Sequence, residues 1–354
     1  MNQQLAAFVT SFIVTFAVIP VIIYLAFKFN IVDHPSARSS HSKSTPSLGG
    51  IAIFAGIVFS IVLWTPENLY ANLKYLLFSL FIIFLIGAKD DIDPVKPWLK
   101  IVGEIIASAV VVLLAEVKIT SFYEVLEIGS ITELSSILFS IFIIIAVINA
   151  FNLIDGIDGL SGGLGAIASL FFSIYFFYVQ EEALAILSTA MFGAMLAFLY
   201  YNKTPSRIFM GDTGSLIQGF ICAVLSIEFI QIQESLTVTT FWTGISGPAV
   251  AIAVLGVPLF DMLRVIILRI IKQQSIIRPD RNHIHHLLVD LGLSHTRASL
   301  TLISLQIIMV IVACSLKMLS PSILIWIIFG INMVFVGIVS LLASKFKTEK
   351  TDKE

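Results

Sequence analysis

The sequence predicts an all-α integral membrane protein, a polytopic bundle of about eleven transmembrane helices. Hydrophobic residues make up 58% of the 354 residues and charged residues only 12%, whereas an ordinary soluble domain carries about 25% charged residues. Apolar runs of about 20 residues, the length that crosses a bilayer as a helix, recur along the whole chain. This composition excludes a soluble globular protein, a disordered chain and a disulfide scaffold.

The apolar runs define eleven candidate spans. The first run lacks a positively charged start and is too long for a cleaved signal peptide, so we expect it to be a membrane span. The ninth run contains Gly256 and Pro258, where we expect it to bend or break. The candidate spans lie near residues 5–27, 48–65, 75–88, 101–117, 136–154, 160–179, 183–201, 213–230, 243–271, 300–316 and 322–344.

Lysine and arginine predict the orientation of these spans. If the N-terminus is outside, 18 of the 21 basic residues fall on one side, and only Lys74, Lys118 and Lys317 fall on the other. Because cytoplasmic loops carry the excess of basic residues, we predict an external N-terminus and a cytoplasmic C-terminus. All eleven Asp and all six His then fall on the cytoplasmic side.

The second cytoplasmic loop, GAKDDIDPVKPWLK, contains Asp90, Asp91 and Asp93 where a span leaves the membrane. Carboxylates this close repel one another unless a metal or other cations balance them. Lys96 and Lys100 follow and can bind phosphate as point charges. A solvated loop with helix-capping acids is the alternative interpretation.

The third loop, NAFNLIDGIDGLSGG, places Asn149, Asn152, Asp155 and Asp158 at intervals of three after an apolar run. At the end of a helix this spacing keeps polar groups roughly on one face. Polar groups at membrane depth are costly and usually functional. A glycine-mediated helix contact is the alternative, but it does not explain two Asn and two Asp.

The fourth loop, NKTPSRIFMGDTGS, brings Asp212 to the start of the eighth span. A helix N-terminus with Gly, Thr and Ser is a natural phosphate cradle. An aspartate there suits Mg²⁺, which binds one or two carboxylates together with substrate phosphates. A plain N-cap is the alternative for Asp212, and Phe209 can either stack on a planar base or simply pack.

The fifth loop, KQQSIIRPDRNHIHHLLVDLG, gathers Arg278, His283, His285 and His286. Arginine beside histidine fits an anionic phosphate and sugar hydroxyls. A structural zinc site is the alternative. However, no cysteine is near, and three histidines so close in sequence cannot all ligate one ion without strain.

The polar residues concentrate in the connections on one predicted side, while the spans are apolar through their middles. A transporter should instead carry polar groups near mid-span. The pattern therefore favours an enzyme that acts at the cytoplasmic membrane surface on a lipid-borne substrate, with a transporter as the alternative.

We expect one transmembrane domain, residues 1–344, with a charged cytoplasmic tail, residues 345–354. The functional loops are about 28–47, 89–100, 155–159, 202–212 and 272–299.

At these motifs the sequence resembles the polyprenyl-phosphate N-acetylhexosamine-1-phosphate transferases. NAFNLIDGIDGL and FMGDTGS carry the resemblance, which runs in order from VDHPSARSSH to HIHH and so covers most of the chain. The HIHH form is similar to the GlcNAc-type branch of the family rather than to the translocase branch, whose loop has three consecutive histidines.

The resemblance implies roles by matched position. Asp90 and Asp91 match a pair implicated in deprotonating or positioning the lipid phosphate, and Asp155 is expected to be catalytic. Asn152 and Asp212 match the Mg²⁺ ligands. Substrate contacts are implied for Asp158 and Phe209 (uracil), Lys100 (phosphate), Asn149, and Arg278, His283, His285 and His286 (sugar and pyrophosphate).

The implied reaction joins undecaprenyl phosphate and a UDP-N-acetylhexosamine, with UDP-GlcNAc expected, and releases UMP. Mg²⁺ is the expected cofactor, with Mn²⁺ as an alternative. The alternative function is a transporter of a sugar nucleotide or a polyprenyl lipid. The implied location is the bacterial cytoplasmic membrane, with no nucleic-acid partner and with a homodimer as an open alternative.

Overall fold

The computed structural model describes residues 3–33, 44–123, 125, 129–236, 241–275 and 282–351. Within these ranges the chain forms thirteen α-helices and no strands, which agrees with the predicted all-α class. The helices are α1 (Gln3–Lys28), α2 (Gly49–Trp64), α3 (Tyr70–Ile92), α4 (Pro97–Leu114), α5 (Glu133–Ile154), α6 (Leu160–Tyr178), α7 (Glu182–Asn202), α8 (Gly211–Ser235), α9 (Gly247–Val254), α10 (Gly256–Ile271), α11 (Ile284–Asp290), α12 (His295–Ser315) and α13 (Pro321–Thr351).

Among the described helices, eight are long and apolar enough to cross a membrane, and nine spans result if the bent pair α9 and α10 counts as one. Each of the eleven predicted spans coincides with one helix or with that pair. α2 has only 16 residues, which is about 24 Å of helix against a hydrocarbon core of about 30 Å. The chain is a multi-pass membrane protein, and the count of eleven spans stays a prediction.

The expected break in the ninth apolar run is confirmed. α9 and α10 are bent by 79° at the junction of Leu255 and Gly256. Pro258 in the first turn of α10 has no N–H to continue the helical hydrogen bonds. Gly256 packs so closely on Met309 that a Cβ there would lie 2.6 Å from the Met309 Cε. The second half of this broken span carries Asp261 toward the fifth loop.

α8 is the central helix of the bundle. Every residue from Thr213 to Ile227 is buried, and α2, α3, α5, α6 and α9 pack around it. Two glycines let neighbouring backbones approach its first turn. A Cβ on Gly50 would lie 2.1 Å from the Gly214 nitrogen, and a Cβ on Gly87 would lie 2.5 Å from the Thr213 Cα. At Gly50 and Gly87 the backbones of α2 and α3 therefore contact the backbone of the first turn of α8 directly.

The helices shorten some of the predicted loops. The third loop has its predicted bounds, because α5 ends at Ile154 and α6 begins at Leu160. The second loop is reduced to residues 93–96, since α3 extends to Ile92 and α4 begins at Pro97. Hydropathy marks where the apolar run ends, whereas helical hydrogen bonds continue into polar residues. Residues 90 and 91 therefore lie on the last turn of α3.

Candidate active site

A cavity of about 470 Å³ opens at one end of the bundle, where α3, α5 and α7 end and α8 begins. All five loops predicted to share one side of the membrane contribute described residues to it. Asp33, Asn202 and His295 line the cavity in addition to the expected residues. The predicted site residues that line it are Asp91, Asn152, Asp155, Asp158, Phe209, Asp212 and His286.

Lys100 connects two carboxylates at this end of the bundle. Its Nζ donates to Asp90 Oδ2 at 3.1 Å and forms a close ion pair with Asp212. Pro97 in the first turn of α4 favours the start of the helix that carries Lys100. Asp90 also accepts the Val95 N–H at 2.7 Å. Lys100, predicted to contact phosphate, thus balances two protein charges that would otherwise repel.

Asp91 caps the N-terminus of α8 from a neighbouring helix. Its carboxylate accepts the backbone N–H groups of Asp212 and Thr213 at 2.7 and 3.0 Å and the Thr213 hydroxyl at 2.5 Å. Met210, the N-cap residue of α8, provides no side-chain cap of its own. An acceptor here satisfies N–H groups that the helix leaves unpaired, although burial outweighs these bonds and raises the pKa of Asp91 to about 7. The predicted phosphate cradle is therefore wrong for these two N–H groups, because Asp91 already occupies them.

Asn152, on the last turn of α5, reaches Asp212 from another side. Its Nδ2 donates to Asp212 Oδ1 at 3.2 Å and to Ser215 Oγ at 3.0 Å. A half-turn about the last side-chain bond would present the amide oxygen in place of the nitrogen. The two residues predicted as metal ligands are thus adjacent across a sequence separation of 60 residues.

Asn149, one turn earlier on α5, contacts a buried glutamate and is not part of the cavity lining. Its Nδ2 donates to Glu104 Oε2 at 2.7 Å and to the Ile145 carbonyl oxygen at 2.9 Å. Glu104 lies on α4 and is 1% exposed. The sequence reasoning missed Glu104, although an acid inside an apolar run is costly and could have indicated it. The expected common face applies only to the two Asn, because α5 ends before Asp155.

Asp155, in the loop between α5 and α6, lines the cavity with its carboxylate unpaired. It has no hydrogen bond or ion pair to the described residues. Burial, reinforced by the negative charges of Asp212, Asp91 and Asp158, raises the pKa of Asp155 to about 7. This carboxylate can therefore gain or lose a proton, or a cation, near neutral pH.

Asp158, three residues later, is well supplied with partners. Its Oδ2 lies 3.4 Å from His295 Nδ1. Burial acts to raise the pKa of Asp158, but hydrogen bonds from His295, Ser206 and Thr204 outweigh it and keep the pKa below the usual value. Asp158 is thus ionised near neutral pH, whereas Asp155 is only partly ionised there.

His283 and His285 anchor the fifth loop to the rest of the site. His283 Nδ1 lies 2.8 Å from Asp261 Oδ2, and Asp261 Oδ1 accepts the Ile284 N–H at 2.8 Å. His285 is 1% exposed, and neither ring nitrogen has a partner among the described residues. It packs on Gly156, where a Cβ would lie 2.2 Å from the His285 Nε2. Burial, together with the nearby His286, lowers the pKa of His285 to about 3, so the ring is neutral.

His286 is the member of the HIHH stretch that lines the cavity. Arg278 lies outside the described residues. In the part of the chain that is described, no three His, Cys, Asp or Glu side chains are grouped so that they could hold a metal ion. The described geometry therefore gives no support to the structural zinc alternative.

Phe209 is fixed in the cavity wall by the start of α2. Its N–H donates to the Pro46 carbonyl oxygen at 2.8 Å, and its own carbonyl oxygen accepts the Gly49 N–H at 3.0 Å. Asn202, which the sequence reasoning missed, accepts the Gly159 N–H at 2.8 Å and donates to the Ile208 carbonyl oxygen at 2.9 Å. Asn202 thus links the loop of Asp158 to the segment of Phe209.

Comparison with known proteins gives an independent view of the chain. Residues 73–230 match the sequence profile of "Glycosyl transferase family 4". A Bacillus subtilis (strain 168) protein named "Probable undecaprenyl-phosphate N-acetylglucosaminyl 1-phosphate transferase" is 32% identical over 98% of this chain and 95% of its own length.

Two further relatives carry related names. An "Undecaprenyl-phosphate alpha-N-acetylglucosaminyl 1-phosphate transferase" from Pasteurella multocida (strain Pm70) is 34% identical over 78% of this chain and 76% of its own length. A "Decaprenyl-phosphate N-acetylglucosaminephosphotransferase" from Mycobacterium tuberculosis (strain ATCC 25618 / H37Rv) is 29% identical over 82% of this chain and 77% of its own length. The chain therefore belongs to glycosyl transferase family 4, among the polyprenyl-phosphate N-acetylhexosamine-1-phosphate transferases that its loop motifs resemble.

Proposed function

We propose that this protein transfers GlcNAc-1-phosphate from UDP-GlcNAc to undecaprenyl phosphate and releases UMP. One phosphoanhydride bond is broken and one is formed, so the reaction needs no further energy source. The observation that carries the proposal is the convergence of Asn152, Asp155 and Asp212 on one cavity beside Asp158 and Phe209. The names of the relatives support the sugar phosphate and the polyprenyl acceptor.

The donor set of this cavity fits Mg²⁺, the proposed cofactor, with Mn²⁺ as the alternative. Asp155 has no protein partner among the described residues, and Asp212 and Asn152 are adjacent. These groups are all oxygen donors once the amide is turned, and Mg²⁺ combines one or two carboxylates with substrate phosphates. Mg²⁺ bound here would neutralise the pyrophosphate and the charge that develops on UMP.

The protein groups around the proposed Mg²⁺ position would bind and orient the phosphates of the two substrates. Lys100 can exchange a carboxylate partner for a phosphate oxygen, because its ammonium is a compact charge on a flexible side chain. The lipid phosphate is already a usable nucleophile near pH 7, since the second pKa of a phosphate monoester is about 6. Positioning and charge neutralisation are therefore the main tasks of the site.

The proposed topology places the cavity on the cytoplasmic side of a bacterial inner membrane, with the N-terminus outside. The excess of basic residues in the connections near the cavity supports this orientation. UDP-sugars and Mg²⁺ would then reach the cavity from the cytoplasm, and the enzyme would start the synthesis of a cell-surface polysaccharide. A transporter is the second candidate, and it predicts transport without UMP formation.

The decisive experiment is UMP release by the purified full-length protein in lipid vesicles. Undecaprenyl phosphate and decaprenyl phosphate are compared as acceptors, and UDP-GlcNAc, UDP-GalNAc and UDP-MurNAc-pentapeptide as donors. We expect UMP only with lipid phosphate, UDP-GlcNAc and Mg²⁺, with loss on chelation and recovery with Mg²⁺ or Mn²⁺ but not Zn²⁺. UDP-sugar uptake without UMP release would replace the enzyme by the transporter. Light scattering of the protein in detergent, before it is placed in vesicles, distinguishes a monomer from the homodimer.

A further inference from the structure

The first turn of α12 contacts Asp158 at two points. His295 Nδ1 lies 3.4 Å from Asp158 Oδ2, and the Ser299 hydroxyl donates to the Asp158 carbonyl oxygen at 2.8 Å. His295 and Ser299 are four residues apart and therefore lie on one face of the helix. Ser299 is buried, and His295 lines the cavity. One helix turn thus restrains both the backbone and the carboxylate of Asp158.

The restrained aspartate is also tied to the aromatic side of the cavity. Gly159, directly after Asp158, adopts a left-handed conformation with φ of 77° and donates its N–H to Asn202. Asn202 in turn bonds the carbonyl oxygen of Ile208, the residue before Phe209. Asp158 and Phe209 are therefore fixed relative to each other, as the edge and the face of a slot for a planar ring require.

The carboxylate of Asp158 keeps room for one more hydrogen bond. His295 lies 3.4 Å from Asp158 Oδ2, and His295, Ser206 and Thr204 together lower the pKa of Asp158, whereas a carboxylate has about four acceptor positions. Uracil offers an N3–H between two carbonyl groups, and cytosine has a bare nitrogen acceptor at the same place. A correctly oriented carboxylate therefore accepts from uracil and repels cytosine.

We propose that His295 is a positioning residue for Asp158 and thereby determines the preference for a uracil nucleotide. This inference rests on the proposed function, because it assigns Asp158 to the nucleobase of the donor. His295 acts through Asp158 and not on the phosphates. Its loss should therefore weaken donor binding and base discrimination while leaving the acceptor and the chemical step unaffected.

The test compares His295→Ala, His295→Asn and Thr296→Ala in the full-length protein. Asparagine can place an amide donor near the position of Nδ1, and Thr296 is an exposed neighbour that serves as the matched control. KM for UDP-GlcNAc, KM for undecaprenyl phosphate and kcat are measured, and UMP and CMP binding is measured by calorimetry. We expect His295→Ala to raise the donor KM about tenfold, equivalent to about 1.4 kcal/mol, and to reduce the UMP-over-CMP preference by a similar factor. His295→Asn should restore most of both, and Thr296→Ala should change neither.

Several results would overturn the inference. These are an unchanged UMP-over-CMP preference in His295→Ala, an equal rise of both KM values, or a fall in kcat alone. If His295→Ala does not fold, Ser299→Ala should cause a smaller shift in the same direction, and its absence would equally count against the proposal. If the protein releases no UMP from any donor but prefers UMP in a way that depends on His295, the proposed function is wrong and the inference stands. If the protein is fully active but has no preference for uracil over cytosine, the proposed function stands and the inference is wrong.

Discussion

The cavity has two sides that differ in how their charges are satisfied. On the side of α3, α4 and α8, the carboxylates of Asp90, Asp91 and Asp212 all have hydrogen-bond or ion-pair partners. On the side of the α5–α6 loop and α11, Asp155 and His285 have no hydrogen-bond partner among the described residues. A buried polar group without a partner costs stability. The charges of the first side are therefore balanced without a ligand, whereas Asp155 and His285 on the second side lack partners that a bound cation or substrate would supply.

The largest effect is expected from Asp212→Asn on the paired side. Asp212 contacts Lys100 and Asn152, so its carboxylate connects the proposed metal ligand Asn152 with the proposed phosphate-binding Lys100. We expect UMP release to fall at least about a thousandfold, equivalent to about 4 kcal/mol of transition-state stabilisation. Asp93→Asn is the matched control, because that side chain is 73% exposed and pairs with Lys89. Substantial UMP release by folded Asp212→Asn would contradict the metal-ligand role.

A smaller effect is expected from Lys100→Gln, which removes the cation that balances the paired side. We expect kcat to fall about a hundredfold, because a charged donor to the phosphates is lost. The half-saturating Mg²⁺ concentration should fall as well, since no ammonium then competes for Asp212. The measurement is UMP release as a function of Mg²⁺. An unchanged or higher Mg²⁺ requirement would show that Lys100 and the cation do not share this aspartate.

The smallest expected effects are on the stability of the folded protein. They compare the two sides of the cavity directly, through one carboxylate from each side. Asp91→Ala leaves two N–H groups of α8 without an acceptor, a loss of about 1 kcal/mol. It should lower the melting temperature most clearly near pH 4, because burial raises the pKa of Asp91 to about 7 and its ionisation at higher pH itself opposes folding. Asp155→Ala should raise the melting temperature in the presence of a chelator. The pKa of Asp155 is about 7 in the folded protein and near 3.8 in the unfolded chain, so ionisation of this group above about pH 4 favours the unfolded chain. The free energy of unfolding of the wild type therefore falls as pH rises from about 4 to about 7 through this group.

The pH dependence checks the sign of this difference. Thermal unfolding is followed from pH 4 to pH 8 in one detergent, with the wild type beside both variants. The advantage of Asp155→Ala should be absent near pH 4 and largest above pH 7. An advantage that is constant with pH, or a loss of stability in this variant, would mean that Asp155 has a partner in the folded protein.

Much of the site follows from the sequence because the motif residues come directly at helix ends. Asn152, Asp155, Asp158 and Asp212 all reach one cavity, as the motifs imply. The pairing of Asp91 with the start of α8 could not be predicted, since it joins residues 121 and 122 positions apart and depends on how helices pack.

Other contacts escaped prediction for local reasons. His295 lies nine residues beyond the HIHH stretch. It reaches the cavity because it is the first residue of α12, which begins at the cavity. Glu104 is a single acid in an apolar run, and its partner Asn149 belongs to a different helix. A spacing rule within one helix cannot indicate either contact.

The glycine contacts at Gly50 and Gly87 affect how tightly the cavity can bind its ligands. They bring three backbones into direct contact at the first turn of α8, and these backbone contacts have no side-chain rotamers to order. The conformational entropy of this junction is lost when the protein folds and not when phosphates arrive. Ligand binding near Asp212 therefore meets an already ordered surface, and the ordering that accompanies binding is left to the groups around Asp155.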